Sequence, residues 1–145
     1  MKILLSIVLL ILLSIAPIVL PGNNTDPAII FADINLADTL IMNRIEVQRI
    51  FTRKEVRWNN GDDIIVFIKP MDSIEHRAFL ANVLNMTLYK YQKSLDAVVY
   101  TAKALPVIEV SNDDKMRMAI HSHPGAIGYI NYELIMNEKT VKVVD

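Results

Sequence analysis

HSHPGAIGYI, residues 121–130, admits two readings that lead to different proteins. Two histidines one residue apart, followed by proline, are half of a zinc site when further ligands lie nearby. The same letters also describe a helix ending at His121 to His123, a turn through Pro124 and Gly125, and a buried strand, AIGYI. Proline drives the residue before it out of helical geometry, and histidines suit the negative end of a helix. The second reading accounts for every residue type in the stretch and is the stronger of the two.

The neighbouring segments extend it in both directions. Ser111 opens a helix with Asp113 and Asp114 in its first turn, where acids meet the positive end of the dipole. VIEV (107–110) before that helix and VKVV (141–144) near the end of the chain read as strands. Upstream, AIIF (28–31), bounded by Pro27 and Asp33, has the length and character of a buried strand, and NLADTL (35–40) of an extended connection. A helix is expected over Met42 to Phe51. Asn43 caps it, Glu46 completes a capping box, Met42 and Val47 stand where a hydrophobic staple places them, and Val47, Ile50 and Phe51 form its core face. NNGDD (59–63) is a turn signal before IIVFIK (64–69), a central strand that Pro70 ends. Asp72 or Ser73 then opens a helix through roughly Leu84, with Ala78, Phe79, Leu80 and Val83 as its apolar side. Asn85 or Thr87 opens another, in which Leu88, Tyr91, Leu95 and Val98 recur at helical spacing. Strands alternating with helices define an α/β domain.

Composition bounds what such a domain can do. The 145 residues allow one ordinary domain, preceded by a separate segment. Met1 and Lys2 are followed by ILLSIVLLILLSIAPIVL (3–20), eighteen residues without a charge, which is an export signal or a membrane anchor. The expected organisation is therefore a signal peptide or anchor over 1–22, a polar linker over 23–27 and a folded domain over 28–145, located in the periplasm or another extracytoplasmic space. Membrane contact is expected only through the N-terminal segment. With no cysteine, disulfides and thiolate metal sites are excluded. A net charge of −1 argues against a nucleic-acid binder, which carries a basic excess.

The zinc reading of HSHP can be tested against a family. A His-x-His-Pro stretch with an upstream glutamate resembles the JAB/MPN metalloproteases, in which two histidines and an aspartate hold the metal. His121, His123 and Glu109 fit that resemblance. The position eleven residues past His123, where it requires aspartate, holds Leu134, the serine position holds Asn131, and Glu133 is one residue out. In a strand, a one-residue slip turns a side chain to the opposite face. A zinc hydrolase is thus the third-ranked reading.

A second resemblance covers residues 28 to the C-terminus. VQRIFTRKEVRW (47–58), NGDDIIVFIKPMDSIEHRAFLANVLNM (60–86), YKYQKSLDAVVYTAKALP (89–106) and PGAIGYI (124–130) occur in the order found in small phosphate-transporter substrate-binding-like proteins. These are relatives of the periplasmic phosphate-binding proteins. The resemblance implies a single lobe of the type 2 periplasmic-binding-protein kind, with a mixed sheet flanked by helices. It also implies a non-enzymatic, cofactor-free protein binding phosphate or a similar small oxyanion beside an ABC transporter permease. Where such sequences carry glycine after the IF-x step, this chain has Arg53.

The best place for an oxyanion is a helix start, with anion or partner contact at Arg53, Lys54 and Arg57 as the lesser alternative to a solvated turn. In PMDSIEHRAF (70–79) the free N–H groups of a helix start, the Ser73 hydroxyl, and Arg77 one turn on would surround an anion. Asp72 and Glu75 bring negative charge to the same turn; one carboxylate could accept a proton from a protonated oxyanion and so select for it, but two mainly repel. The alternative is that Ser73 or Asp72 is only an N-cap and Arg77 a solvated side chain. Arg53, Lys54 and Arg57 are expected on a solvated turn, with Trp58 covering the core and Tyr129 in the core. The second-ranked function is a single-lobe interaction module of the cell envelope, with a protein partner and no small ligand.

Overall fold

The computed structural model describes residues 26–32, 38–101 and 104–145. The expected signal or anchor and most of the linker lie outside the described residues. In chain order the elements are β1 (Pro27–Phe31), β2 (Thr39–Asn43), α1 (Arg44–Phe51), β3 (Ile65–Ile68) and α2 (Ile74–Phe79), which runs on as a π turn (Leu80–Leu84). They continue with α3 (Leu88–Val99), β4 (Ile108–Glu109), α4 (Asp113–Ser122), β5 (Ala126–Asn131), a 3-10 turn (Tyr132–Leu134) and β6 (Lys139–Val144).

The strands form one six-stranded mixed sheet in the order β2-β6-β1-β5-β3-β4. β1 lies antiparallel between β5 and β6, while β2 runs parallel to β6, and β3 parallel to both β5 and β4. Side chains alternate across a strand, so each central strand feeds two cores. Ile29 and Phe31 of β1, Val66 and Ile68 of β3, and Ile127 and Tyr129 of β5 pack on one face with Val47, Ile50 and Phe51 of α1, Phe79 of α2 and Tyr91 of α3. Ile30, Phe67, Ala126 and Ile130 pack on the other with Met116 and Ile120 of α4. This is the expected α/β arrangement, a mixed sheet flanked by helices.

Local chemistry explains the helix starts. The capping box of α1 is complete: Glu46 N–H donates to Asn43 Oδ1 at 2.9 Å and Asn43 N–H to Glu46 Oε2 at 2.7 Å. Ser73 and Thr87 cap α2 and α3 through their hydroxyl oxygens. α4 is capped by Asn112 rather than Ser111, whose place is one residue too early. The π turn closes at Asn85, which adopts the left-handed conformation with φ 50°.

Other expectations fail for physical reasons. Thr39–Asn43 is a strand, so Met42 lies within β2 and α1 begins only at Arg44. β2 is an edge strand held by β6, about a hundred residues away. Arg53 is not solvated: it is 4% exposed, with φ 62°. That left-handed backbone is why glycine is the ordinary occupant of such a position. Lys54 and Arg57 are exposed as expected, and Arg57 pairs with Asp63 at 3.4 Å. Trp58 covers the core, its Nε1–H donating to Gly125 O at 3.0 Å.

Candidate functional site

β3 and β4 send their following helices to opposite faces of the sheet: α2 packs with the first core and α4 with the second. A crevice opens outside the carboxyl ends of strands wherever such a switch occurs, and in α/β sheets ligands bind there. In this chain it is a cavity of about 330 Å³. Lys69, which follows β3, and Tyr129, Ile130 and Asn131 at the end of β5 form its floor, with Ile74, Glu75 and Ala78 of α2 and Asp113 of α4 on its walls.

Lys69 is 4% exposed and, among the described residues, is the one cation lining the cavity. Its ammonium pairs with the Asp113 carboxylate in the first turn of α4, and its backbone N–H donates to Tyr129 Oη at 2.9 Å. Tyr129 Oη stands 2.7 Å from His76 Nδ1, and its ring stacks on Phe79 with centroids 3.8 Å apart and planes 6° from parallel. A phenol has one proton. Tyr129 Oη thus accepts from Lys69 N–H and shares one further hydrogen with His76 Nδ1, in the direction the imidazole tautomer sets. His76 Nε2 is buried without a partner. Burial pushes His76 down to about 4 and raises the Tyr129 hydroxyl well above the ordinary tyrosine value. His76 and Tyr129 are accordingly both uncharged near neutral pH.

The three residues expected to bind an anion share one turn beside the cavity but do not line it. Asp72 is exposed and Ser73 half-buried. Ser73 Oγ accepts from His76 N–H at 3.1 Å, which uses a lone pair and leaves the hydroxyl proton free to donate. Arg77 is exposed and, among the described residues, its guanidinium makes no hydrogen bond or ion pair; its backbone N–H donates to Ser73 O at 3.2 Å. The residue that sequence reasoning missed is Lys69. Its signal was a single lysine closing an apolar strand immediately before Pro70.

HSHP resolves as a helix end. His123 Nδ1 lies 2.8 Å from Ala119 O, its ring packs on Phe67 at 5.4 Å, and His121 is exposed. Glu109 accepts from Met71 N–H at 3.0 Å. Among the described residues no three His, Asp or Glu side chains gather where a metal could sit.

No family model matches the chain, and no match is found among curated proteins. Solved structures do match. The ABC-type phosphate transport receptor from Vibrio cholerae superposes with a TM-score of 0.61 at 14% identity, over 81% of this chain and 46% of that one. A candidate phosphate ABC transporter substrate-binding protein with bound phosphate from Clostridium perfringens gives 0.55 at 21% identity, over 81% and 44%. A candidate phosphate-binding protein from Planctomyces limnophilus gives 0.58 at 18%, over 83% and 42%. The chain thus spans less than half the length of the structures it matches, and at these identities the likeness is one of fold: a single lobe of the type 2 periplasmic-binding-protein kind.

Proposed function

We propose that the chain is an exported, non-enzymatic solute-binding-like protein that takes phosphate or a similar small oxyanion at the β3–α2 junction, beside an ABC transporter. The observation that carries this reading is Lys69, a buried ammonium at the carboxyl end of β3 inside the crevice. The first turn of α2 borders the same crevice through Ile74 and Glu75, and Ser73 and Arg77 stand on that turn outside the lining, Arg77 without a side-chain partner among the described residues. Asp113 holds Lys69 while the crevice is empty. An entering anion would share that ammonium, and a protonated oxyanion could donate its proton to Asp113, which favours hydrogen phosphate over sulfate. The phosphate named for the matched structures points the same way. Within this lobe, affinity comes from a preformed pocket or from a second surface that closes on it.

Titration calorimetry of the full chain tests this. Saturable heat with phosphate and at least tenfold weaker binding of sulfate are expected, with Lys69→Met and Arg77→Glu each weakening phosphate by tenfold or more. Phosphate affinity unchanged in both variants would remove the site. Silence toward both anions would favour the second reading, an envelope interaction module. That reading has its own observation: Ile41 on edge strand β2 and Ile45 at the start of α1 are 70% and 67% exposed.

A further inference from the structure

Arg53 carries two costs that the crevice does not use. Its φ of 62° lies in the left-handed region, which glycine enters freely and a residue with a side chain enters at a penalty. Its side chain is also withdrawn from water, the residue being 4% exposed. Nε donates to Leu105 O at 2.8 Å, but Nη1 is buried without any hydrogen-bond partner. Burial pulls the guanidinium below its ordinary value, against the pull of Tyr91 and Asp63, and an arginine stays charged all the same. Asp63 is itself exposed and already paired with Arg57. A buried charge is ordinarily matched by a counter-ion, and among the described residues none pairs with Arg53.

The place for it is adjacent. Arg53 lines a cavity of about 390 Å³ with Leu95 and Val98 of α3 and Leu105, Pro106 and Val107 of the following loop. Since Nε is fixed on the Leu105 carbonyl, the guanidinium sits at that wall. The remaining lining is aliphatic, and the volume falls at the lower end of small-molecule sites, roughly 300–1,000 Å³. An unpaired cation against an apolar cavity is complementary to a ligand with one negative head and an apolar body. A phosphate dianion fits poorly, because it needs several donors and this wall offers few.

We propose that this cavity is a second binding site, separate from the crevice, for a small monocarboxylate with an aliphatic chain. Its carboxylate accepts from the Arg53 guanidinium, and its chain lies against Leu95, Val98 and Val107. Strain at Arg53 is then the cost of placing a cation where a glycine would hold the turn more easily.

The test uses the full chain with Leu and Val methyl groups labelled, titrated with sodium hexanoate and, as an uncharged probe of the same length, 1-hexanol. Hexanoate should shift the Leu95, Val98 and Val107 methyl resonances saturably, and hexanol should bind at least tenfold more weakly. Arg53→Gly should abolish the preference for hexanoate while leaving the thermal midpoint unchanged or raised. Val98→Trp, which fills the cavity without touching the charge, should abolish binding of both probes; it serves alone if Arg53→Gly does not fold. Unmoved methyl resonances, equal affinity for both probes, or hexanoate binding that survives Val98→Trp or Arg53→Gly would each overturn the proposal.

Discussion

Gly125→Ala is expected to cost about 4 kcal/mol or more, enough to leave a marginally stable domain largely unfolded. Two penalties coincide at this residue. Its φ of 82° is unfavourable for alanine, and an added Cβ would stand 2.2 Å from the Asp63 carbonyl oxygen, a backbone atom that cannot swing aside. Relief would require moving the Gly125 peptide, whose oxygen accepts from both Ile65 N–H at 3.1 Å and Trp58 Nε1–H at 3.0 Å. The strain therefore spreads into β3 and into the cover of the core. Gly61→Ala separates the two penalties: φ is 91° but nothing lies within 4 Å of the added Cβ, so only the conformational cost of about 1 kcal/mol is expected. Urea melts of both variants decide the matter. Equal losses would show that the contact with Asp63 is not rigid.

The second large effect is a pH dependence centred on His76. With the folded-state value at about 4 and the unfolded ring near its ordinary 6.5, the unfolded chain binds more protons between those limits. The stabilisation is thus fully present above pH about 6.5, falls as the pH drops through the interval, and is exhausted below about 4. At about 1.4 kcal/mol per unit the loss is about 3 kcal/mol. The cause is burial: the ring is 0% exposed, packed between Tyr91 at 5.1 Å and Tyr129 at 6.2 Å, with Nε2 unpartnered. His76→Phe should remove this slope between pH 6.5 and 4, at a cost near neutrality of about 1–3 kcal/mol, because the buried Tyr129 hydroxyl loses its hydrogen bond to the ring. A slope in urea-melt stability that survives the substitution would assign it to other groups.

These effects also mark what could be read from the chain alone. The turn at Pro124 and Gly125, the AIGYI strand and the Asn43 capping box were legible because each is a local device whose partners lie a few residues apart. The α/β class followed from the alternation of such devices. β2 was missed because its pairing partner is β6 and its burial is only partial, with Leu40 and Met42 inward and Ile41 outward. Arg53 was read as solvated because its burial depends on Leu105, fifty-two residues on. The candidate site was legible in part. The Ser73 helix start stood out as a cap, whereas Lys69 meets Asp113 across forty-four residues and His76 meets Tyr129 across fifty-three. Pairings of that span are made by sheet order, and strand periodicity does not encode sheet order.

The central claim is that the β3–α2 junction of this lobe receives an oxyanion. Backbone amide resonances of the full chain, followed through a phosphate titration at constant ionic strength, test it residue by residue. The expected result is saturable shifts concentrated at Lys69, Ser73, Ile74 and Glu75, with Asp113 moving as its hold on Lys69 loosens. Resonances at those five positions that stay in place up to millimolar phosphate, or that move equally with chloride, would contradict the account.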